Sequence, residues 1–224
     1  MKTKILLSWS SGKDSAWTLH TLRQQPNVEI IGLLTTFNEV NNRVAMHGVR
    51  MELVEKQAEA AGYPLWSVPL PFPCSNEEYE SRMRTVIERA HREGITHVAF
   101  GDLFLEEIRA YRERMMAGTG IQPIFPIWRT PSDTKALAQE MLKNDLRTVL
   151  TTVDPKQIGT AFAGRMYDEG LLNDLPSSAD PCGENGEFHT FCFDGPMFAH
   201  PISIQVGETV VRDGFVFTDI LPVK

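Results

Sequence analysis

Six residues, Ser10-Ser11-Gly12-Lys13-Asp14-Ser15, separate the apolar run Ile5-Leu6-Leu7 from apolar residues at Ala16, Leu19 and Leu22. The unbroken run suits a strand buried on both faces, and the later spacing suits one face of a helix. A strand passing through so short a loop into a helix commits the chain to an α/β fold, in which the helix carries it back to a parallel neighbour. The loop then lies at a helix N-terminus. Unpaired amides and the positive end of the helix dipole select an anion there, and the Lys13 ammonium and the hydroxyls of Ser10, Ser11 and Ser15 reinforce the choice.

Two well-known phosphate loops do not fit. A Walker loop needs a glycine five positions before its Gly-Lys pair and Ser or Thr after it, and Leu7 and Asp14 stand in those places. The dinucleotide pattern G-x-G-x-x-G has Gly12 alone. The stretch instead resembles, at five of six positions, the S-G-G-x-D-S loop of the PP-loop ATP pyrophosphatases. That resemblance implies that Ser10, Ser11, Gly12, Lys13, Asp14 and Ser15 hold the β and γ phosphates of ATP as a unit. Cleavage then falls between α and β and leaves an adenylylated substrate. Ser11 replaces the first glycine, where a side chain restricts the backbone.

Downstream the pattern alternates. Val28 to Leu34 reads as a second buried strand, and a helix from about Arg50 has Leu53, Val54, Gln57, Ala58 and Ala61 on one face and Gly62 as its stop. Leu65 to Val68 is strand three. Asn76 is expected to cap a helix whose buried stripe is Met83, Val86, Ile87 and Ala90, and His97 to Phe100 is strand four. Such alternation gives right-handed crossovers and a Rossmann-like parallel sheet with helices on both faces, which binds ligands beyond the C-terminal ends of its strands. Three further positions at those ends are therefore candidates for the nucleotide: Thr36 after strand two, Gly101 after strand four, and His47 before the second helix. Asp102 is a candidate ligand for a Mg2+ ion on the phosphates, or alternatively a helix cap before Leu105. The helix Ser132–Asn144 and the strand Arg147–Val153 could continue the same sheet. The tail from Ile202 to Leu221 reads as a hairpin turning at Arg212-Asp213-Gly214.

The net charge of −7 repels nucleic acid. The arginines from Arg82 to Arg114 are interleaved with glutamates, which reads as a solvated, salt-bridged helical face. Met1 to Leu7 has too short an apolar run for a signal peptide, and no segment approaches a membrane span. Cys74, Cys182 and Cys192 lack metal-ligand spacing and are expected to be reduced thiols in the cytoplasm, with Cys182 inert by default.

A second motif, Asp180-Pro-Cys-Gly-Glu-Asn-Gly-Glu-Phe-His-Thr-Phe191, combines turn formers with ionisable groups. Glu184 and Glu187 could take a proton from an attacking amine, and His189 could assist. Together the PP-loop, the Gly101-Asp102 segment with its Arg/Tyr/Glu-rich sequel (Glu107, Arg109, Tyr111, Arg112, Glu113) and the late Gly-Glu-x-Gly-Glu stretch resemble the diphthine–ammonia ligase family over nearly the whole chain. The resemblance implies a HUP-type ATP-binding domain, residues 1–126, and a smaller C-terminal substrate-binding part, residues 127–224. It implies ATP and Mg2+ as cofactors, adenylylation of a carboxylate on a small molecule or protein side chain with release of pyrophosphate, and amide formation with ammonia or another amine as AMP leaves. Lys13 with Glu184, Glu187 and His189 would be catalytic, and Gly183, Asn185, Gly186 and Thr190 would face the acyl substrate. His189 stands where the ligases carry an acid, which points to a divergent branch of bacterial type with its own substrate. A homo-oligomer is allowed. The alternatives are a PP-loop tRNA-modifying enzyme, which would call for a basic face, and a non-catalytic sensor of adenine nucleotides.

Overall fold

The computed structural model describes residues 2–223. Five parallel strands run in the order β4-β2-β1-β5-β6: β1 (Thr3–Ser8), β2 (Val28–Asn38), β4 (Leu65–Leu70), β5 (His97–Ala99) and β6 (Gln122–Ile124). A two-residue strand, β3 (Arg43–Val44), joins β2 antiparallel. On central β1, Ile5 and Leu7 point into one core and Leu6 into the other, the alternation a doubly covered sheet requires. The first core packs α1 (Lys13–Arg23) and α2 (Met51–Ala61); the second packs α3 (Asn76–Arg92) and contains Met116, the last residue of α4 (Glu106–Met116).

A second sheet is wholly antiparallel, in the order β8-β7-β10-β9: β7 (Arg147–Val153), β8 (Phe188–Asp194), β9 (Ile204–Arg212) and β10 (Phe215–Pro222). Helix α5 (Thr134–Lys143) precedes it and a short α6 (Glu169–Asp174) lies between β7 and β8. Its apolar residues belong to the same core as α1 and α2, so the second sheet closes that side of the first. One ion-pair cluster also joins them. Asp219 on β10 accepts from Arg43 at 2.8 Å and from Arg50 at 2.6 Å, and the two guanidiniums overcome its burial and hold its carboxyl down to about 2.

Several expectations hold, and three need correction. Gly62 ends α2 in the left-handed region at φ 77°, and the β9–β10 hairpin turns at Asp213 (φ 53°) and Gly214 (φ 83°), the two positive angles of a type I′ turn. The strand Arg147–Val153 does not continue the parallel sheet; it pairs with β8 and β10. Helix α3 is capped by Ser75, whose Oγ accepts from the Glu78 amide at 3.2 Å, and Asn76 is the first helical residue. Asp102 does not cap α4, whose N-cap position is Leu105.

Gln57 explains why α2 turns a polar residue inward. Fully buried, it accepts from the Trp9 indole N–H at 2.9 Å and donates to the carbonyls of Ser11 and Cys192, tying α2, the loop after β1 and strand β8 at one point. Gln57→Leu leaves a buried indole N–H and a strand carbonyl without partners, which should cost about 3 kcal/mol. A lowered urea midpoint with an unchanged slope is the expected result.

Candidate active site

The loop between β1 and α1 is built against β8. Ser11 occupies the left-handed region at φ 73°, and its carbonyl accepts from the Cys192 amide at 2.9 Å. A Cβ at residue 12 would come within 2.8 Å of the His47 ring and 3.1 Å of the Thr190 carbonyl, so only glycine allows this approach. The Lys13 amide donates to Thr190 Oγ1 at 3.0 Å, and His47 Nδ1 lies 3.0 Å from the Thr190 carbonyl oxygen. Because that oxygen can only accept, Nδ1 carries the proton and Nε2 is left as an acceptor. Ser15 Oγ donates to the Gly12 carbonyl at 3.0 Å and Ser10 Oγ lies 3.3 Å from Ser15 Oγ. Gly101 permits a second close approach, since a Cβ there would meet the Asp14 backbone at 3.0 Å.

The Lys13 side chain is 2% exposed and reaches away from its helix into the second motif. Its ammonium donates to the Asp14 carboxylate at 2.7 Å and to the Cys182 carbonyl. Burial opposes its charge, but Asp14 beside it raises the pKa above the ordinary lysine value, so Lys13 is a fixed cation. Cys182 itself is inert: burial pushes its thiol up to about 12.

The second motif is an internally braced turn. The Asp180 carboxylate accepts from the amides of Cys182 (3.1 Å) and Glu184 (3.0 Å). Glu187, 1% exposed, accepts from the Asp180 amide at 2.7 Å and from the Asn185 side chain at 3.1 Å. Gly183, at φ 72°, lies where a Cβ would strike the Phe188 carbonyl at 2.9 Å. Glu184 reaches back to the first sheet and accepts from the amides of Leu103 (2.6 Å) and Phe104 (3.3 Å) beyond β5. Burial raises its pKa to about 7, with Asp14 adding to the shift. Burial pushes His47 down to about 4 and His189 to about 3, the latter helped by His47, whose ring centroid is 4.7 Å away. Both imidazoles are neutral at pH 7.

These groups surround one cavity of about 660 Å³. Of the residues singled out in the sequence, Ser10, Lys13, Asp14, Ser15, Thr36, His47, Gly101, Asp102, Gly183, Glu184, Gly186, His189 and Thr190 line it. Ser11 and Gly12 shape the loop from behind, and Asn185 and Glu187 brace the late turn without lining the cavity. Among the described residues no three His, Cys, Asp or Glu side chains are grouped to hold a metal ion; Asp102 stands beside Arg112, with Nε 3.4 Å from Oδ2. The sequence reading named Tyr111 and Arg112 among the residues that carry the resemblance and did not place them in a further wall of the site. Tyr79 and Arg84 of α3 and Tyr111, Arg112 and Arg114 of α4 also line the cavity, so the arginine-rich stretch is not a purely solvated face. The i, i+4 spacing of Tyr79 with Met83 and of Tyr111 with Met115 was the available signal.

The loop at the N-terminus of α1 thus faces a braced acidic turn across one cavity, on an α/β sheet. The chain belongs to the diphthamide synthase family: its N-terminal domain model matches residues 1–123 and its C-terminal domain model residues 133–221. Among similar proteins is a diphthine–ammonia ligase of Danio rerio, 29% identical over 190 residues, covering 75% of this chain and 71% of the relative. The Bos taurus ligase of the same name is 23% identical over 186 residues, covering 75% of this chain and 67% of the relative. The Homo sapiens ligase is 22% identical over 156 residues, covering 66% of this chain but only 56% of the human protein.

Two predictions follow from this geometry. Ser11→Gly removes about 1–2 kcal/mol of left-handed strain and gives the unfolded chain about 0.5–1 kcal/mol of glycine entropy, so stability should rise by about 0.5–1 kcal/mol in urea unfolding. Glu184 holds its proton up to about pH 7 when folded but releases it near the ordinary 4.5 when unfolded. Its contribution to stability is therefore complete below pH 4.5 and is lost as pH rises through 7. Glu184→Gln should gain on the native chain between pH 5 and pH 7.5 in paired urea titrations.

Proposed function

We propose that the chain is an ATP-dependent amide-forming ligase that activates a carboxylate as its acyl adenylate. The observation that carries this reading is the contact between the phosphate loop and the late motif, in which the Lys13 amide meets Thr190 and the Lys13 ammonium meets the Cys182 carbonyl. Phosphates held at residues 10–15 thereby lie across the cavity from the Glu184 carboxyl. The names of the relatives, diphthine–ammonia ligases, support a carboxylate acceptor and ammonia as the nitrogen donor.

In this mechanism an oxygen of the substrate carboxylate attacks the α-phosphorus and the bond to the β-phosphate oxygen breaks. Pyrophosphate departs with its charge stabilised by Lys13 and the first-turn amides of α1. Ammonia or another amine then attacks the acyl carbon, AMP leaves, and the excess proton on nitrogen passes to Glu184. We assign the base role to Glu184 over His189 because a group poised near 7 accepts protons at neutral pH and one near 3 does not. Glu187 acts through the turn as a positioning residue. Thr36 and its neighbours at the end of β2 would take the adenine. Asp102 would offer a carboxylate oxygen to a Mg2+ ion that neutralises phosphate charge, in competition with Arg112.

The test is product analysis with ATP, ammonium chloride and a panel of carboxylates. AMP and pyrophosphate should form in equal amounts, and ADP as the product would overturn the mechanism. Lys13→Ala should abolish turnover. Glu184→Gln should lower kcat by about 10²- to 10⁴-fold. Because the base works unprotonated, kcat of the native chain should rise about tenfold per pH unit below 7 and level off above it.

A further inference from the structure

The wall that α3 and α4 present to the cavity belongs to neither motif. Its surface is adaptable and apolar, with Tyr79 and Met83 from α3 and Tyr111 and Met115 from α4. Arg84 and Arg114 line the same cavity and are solvent-exposed. Most arginines of these two helices that do not line the cavity are paired; Arg92 of α3 is exposed and has no ion pair among the described residues. Arg82, Arg89 and Arg109, which do not line the cavity, each pair with a glutamate four residues away on the same helix, Glu78, Glu93 and Glu113. Arg112 is neutralised by Asp102. Arg84 and Arg114 have no ion pair among the described residues. The remaining acid on this wall is Glu80, which leaves one excess positive charge facing the cavity of a chain whose net charge is −7.

Unpaired guanidiniums that line a cavity together with aromatic and thioether side chains suit an anion attached to an apolar body: the guanidinium fork binds carboxylate or phosphate, and methionine moulds to the remainder. We propose that this wall is a specificity subsite for a small-molecule acyl substrate, binding an anionic group remote from the reacting carboxylate through Arg84 and Arg114, with the apolar body against Tyr79 and Tyr111. Its description as an acyl-substrate subsite rests on the ligase reading above; the binding of an amphipathic anion does not.

The test uses the whole chain, with and without the non-cleavable analogue α,β-methylene-ATP, and three probes: phenyl phosphate, benzoate and benzyl alcohol. Calorimetry or ligand-observed NMR should show at least one of the anions binding tenfold or more tighter than the neutral alcohol, with the advantage shrinking as salt is raised. The preferred anion tells whether the subsite reads phosphate or carboxylate. In the double variant Arg84→Gln/Arg114→Gln the advantage should vanish, while benzyl alcohol and α,β-methylene-ATP bind within twofold of the native chain. Arg89→Gln, on the outward face of α3, should leave every value within twofold. Equal binding of anions and alcohol, or an advantage that survives the double variant, overturns the proposal. A tenfold loss of α,β-methylene-ATP binding in the double variant also overturns it, because the arginines would then serve the nucleotide. If the native chain does not bind α,β-methylene-ATP at all, the ligase reading fails, and the probes on the nucleotide-free chain still decide the anion site.

Discussion

Thr190 is the residue on which the site's geometry depends. Its hydroxyl accepts from the first amide of α1, and its carbonyl faces the His47 ring. One position beyond Phe191, the Cys192 amide bonds the Ser11 carbonyl. The loop between β1 and α1 is thus held from outside by a strand of the other sheet. A helix N-terminus ordinarily presents several unpaired amides to solvent or ligand, and here the second sheet takes one of them to fix the angle at which the others face the cavity. That fixes both walls together, so the loop and the late motif cannot move apart without breaking bonds at residues 11, 13 and 190.

The cavity contains charges that burial has set in an unusual pattern: a fixed ammonium at Lys13, a carboxyl at Glu184 poised near 7, and two neutral imidazoles at His47 and His189. Desolvation opposes charge in every case and is overcome at Lys13 chiefly by the adjacent Asp14 carboxylate, with Cys182 and Asp180 adding to it. An arriving triphosphate would act in the opposite direction, favouring cations and the protonated forms of all these groups. The neutral histidines therefore leave the cavity less positive than its residue types suggest, and the cation between its two motifs is the lysine that bridges them.

Much of this was legible from residue order. The apolar run before the loop, the glycine at the end of α2 and the Asp-Gly turn of the hairpin are local signals, and the structure follows them. The misjudged elements depend on distant partners. β7 is an apolar strand of ordinary composition, and nothing within Arg147–Val153 says which sheet will pair with it. Gln57 reads as a flaw on a buried face until Trp9, Ser11 and Cys192 converge on it. The arginines of α3 and α4 look alike in sequence; which of them turn toward the cavity is settled by how the helices face the sheet. For the late motif, composition marked a chemical loop, but which acid faced the cavity could not be read, because Glu184 and Glu187 lie three apart in an irregular turn without a fixed period.

Ser11 shows how such a loop accommodates a departure from its pattern. The left-handed backbone at this position is imposed by its carbonyl, which must point at both Gln57 and the Cys192 amide. Glycine would adopt that conformation freely, and serine holds it at a cost of about 1–2 kcal/mol. The hydroxyl recovers none of it, being buried without a partner and turned away from the cavity. The strain is therefore maintained at the junction between the two sheets. A loop whose shape survives an unfavourable residue at its tightest point is one whose geometry is dictated by what surrounds it, and here the surroundings are Gln57 and strand β8.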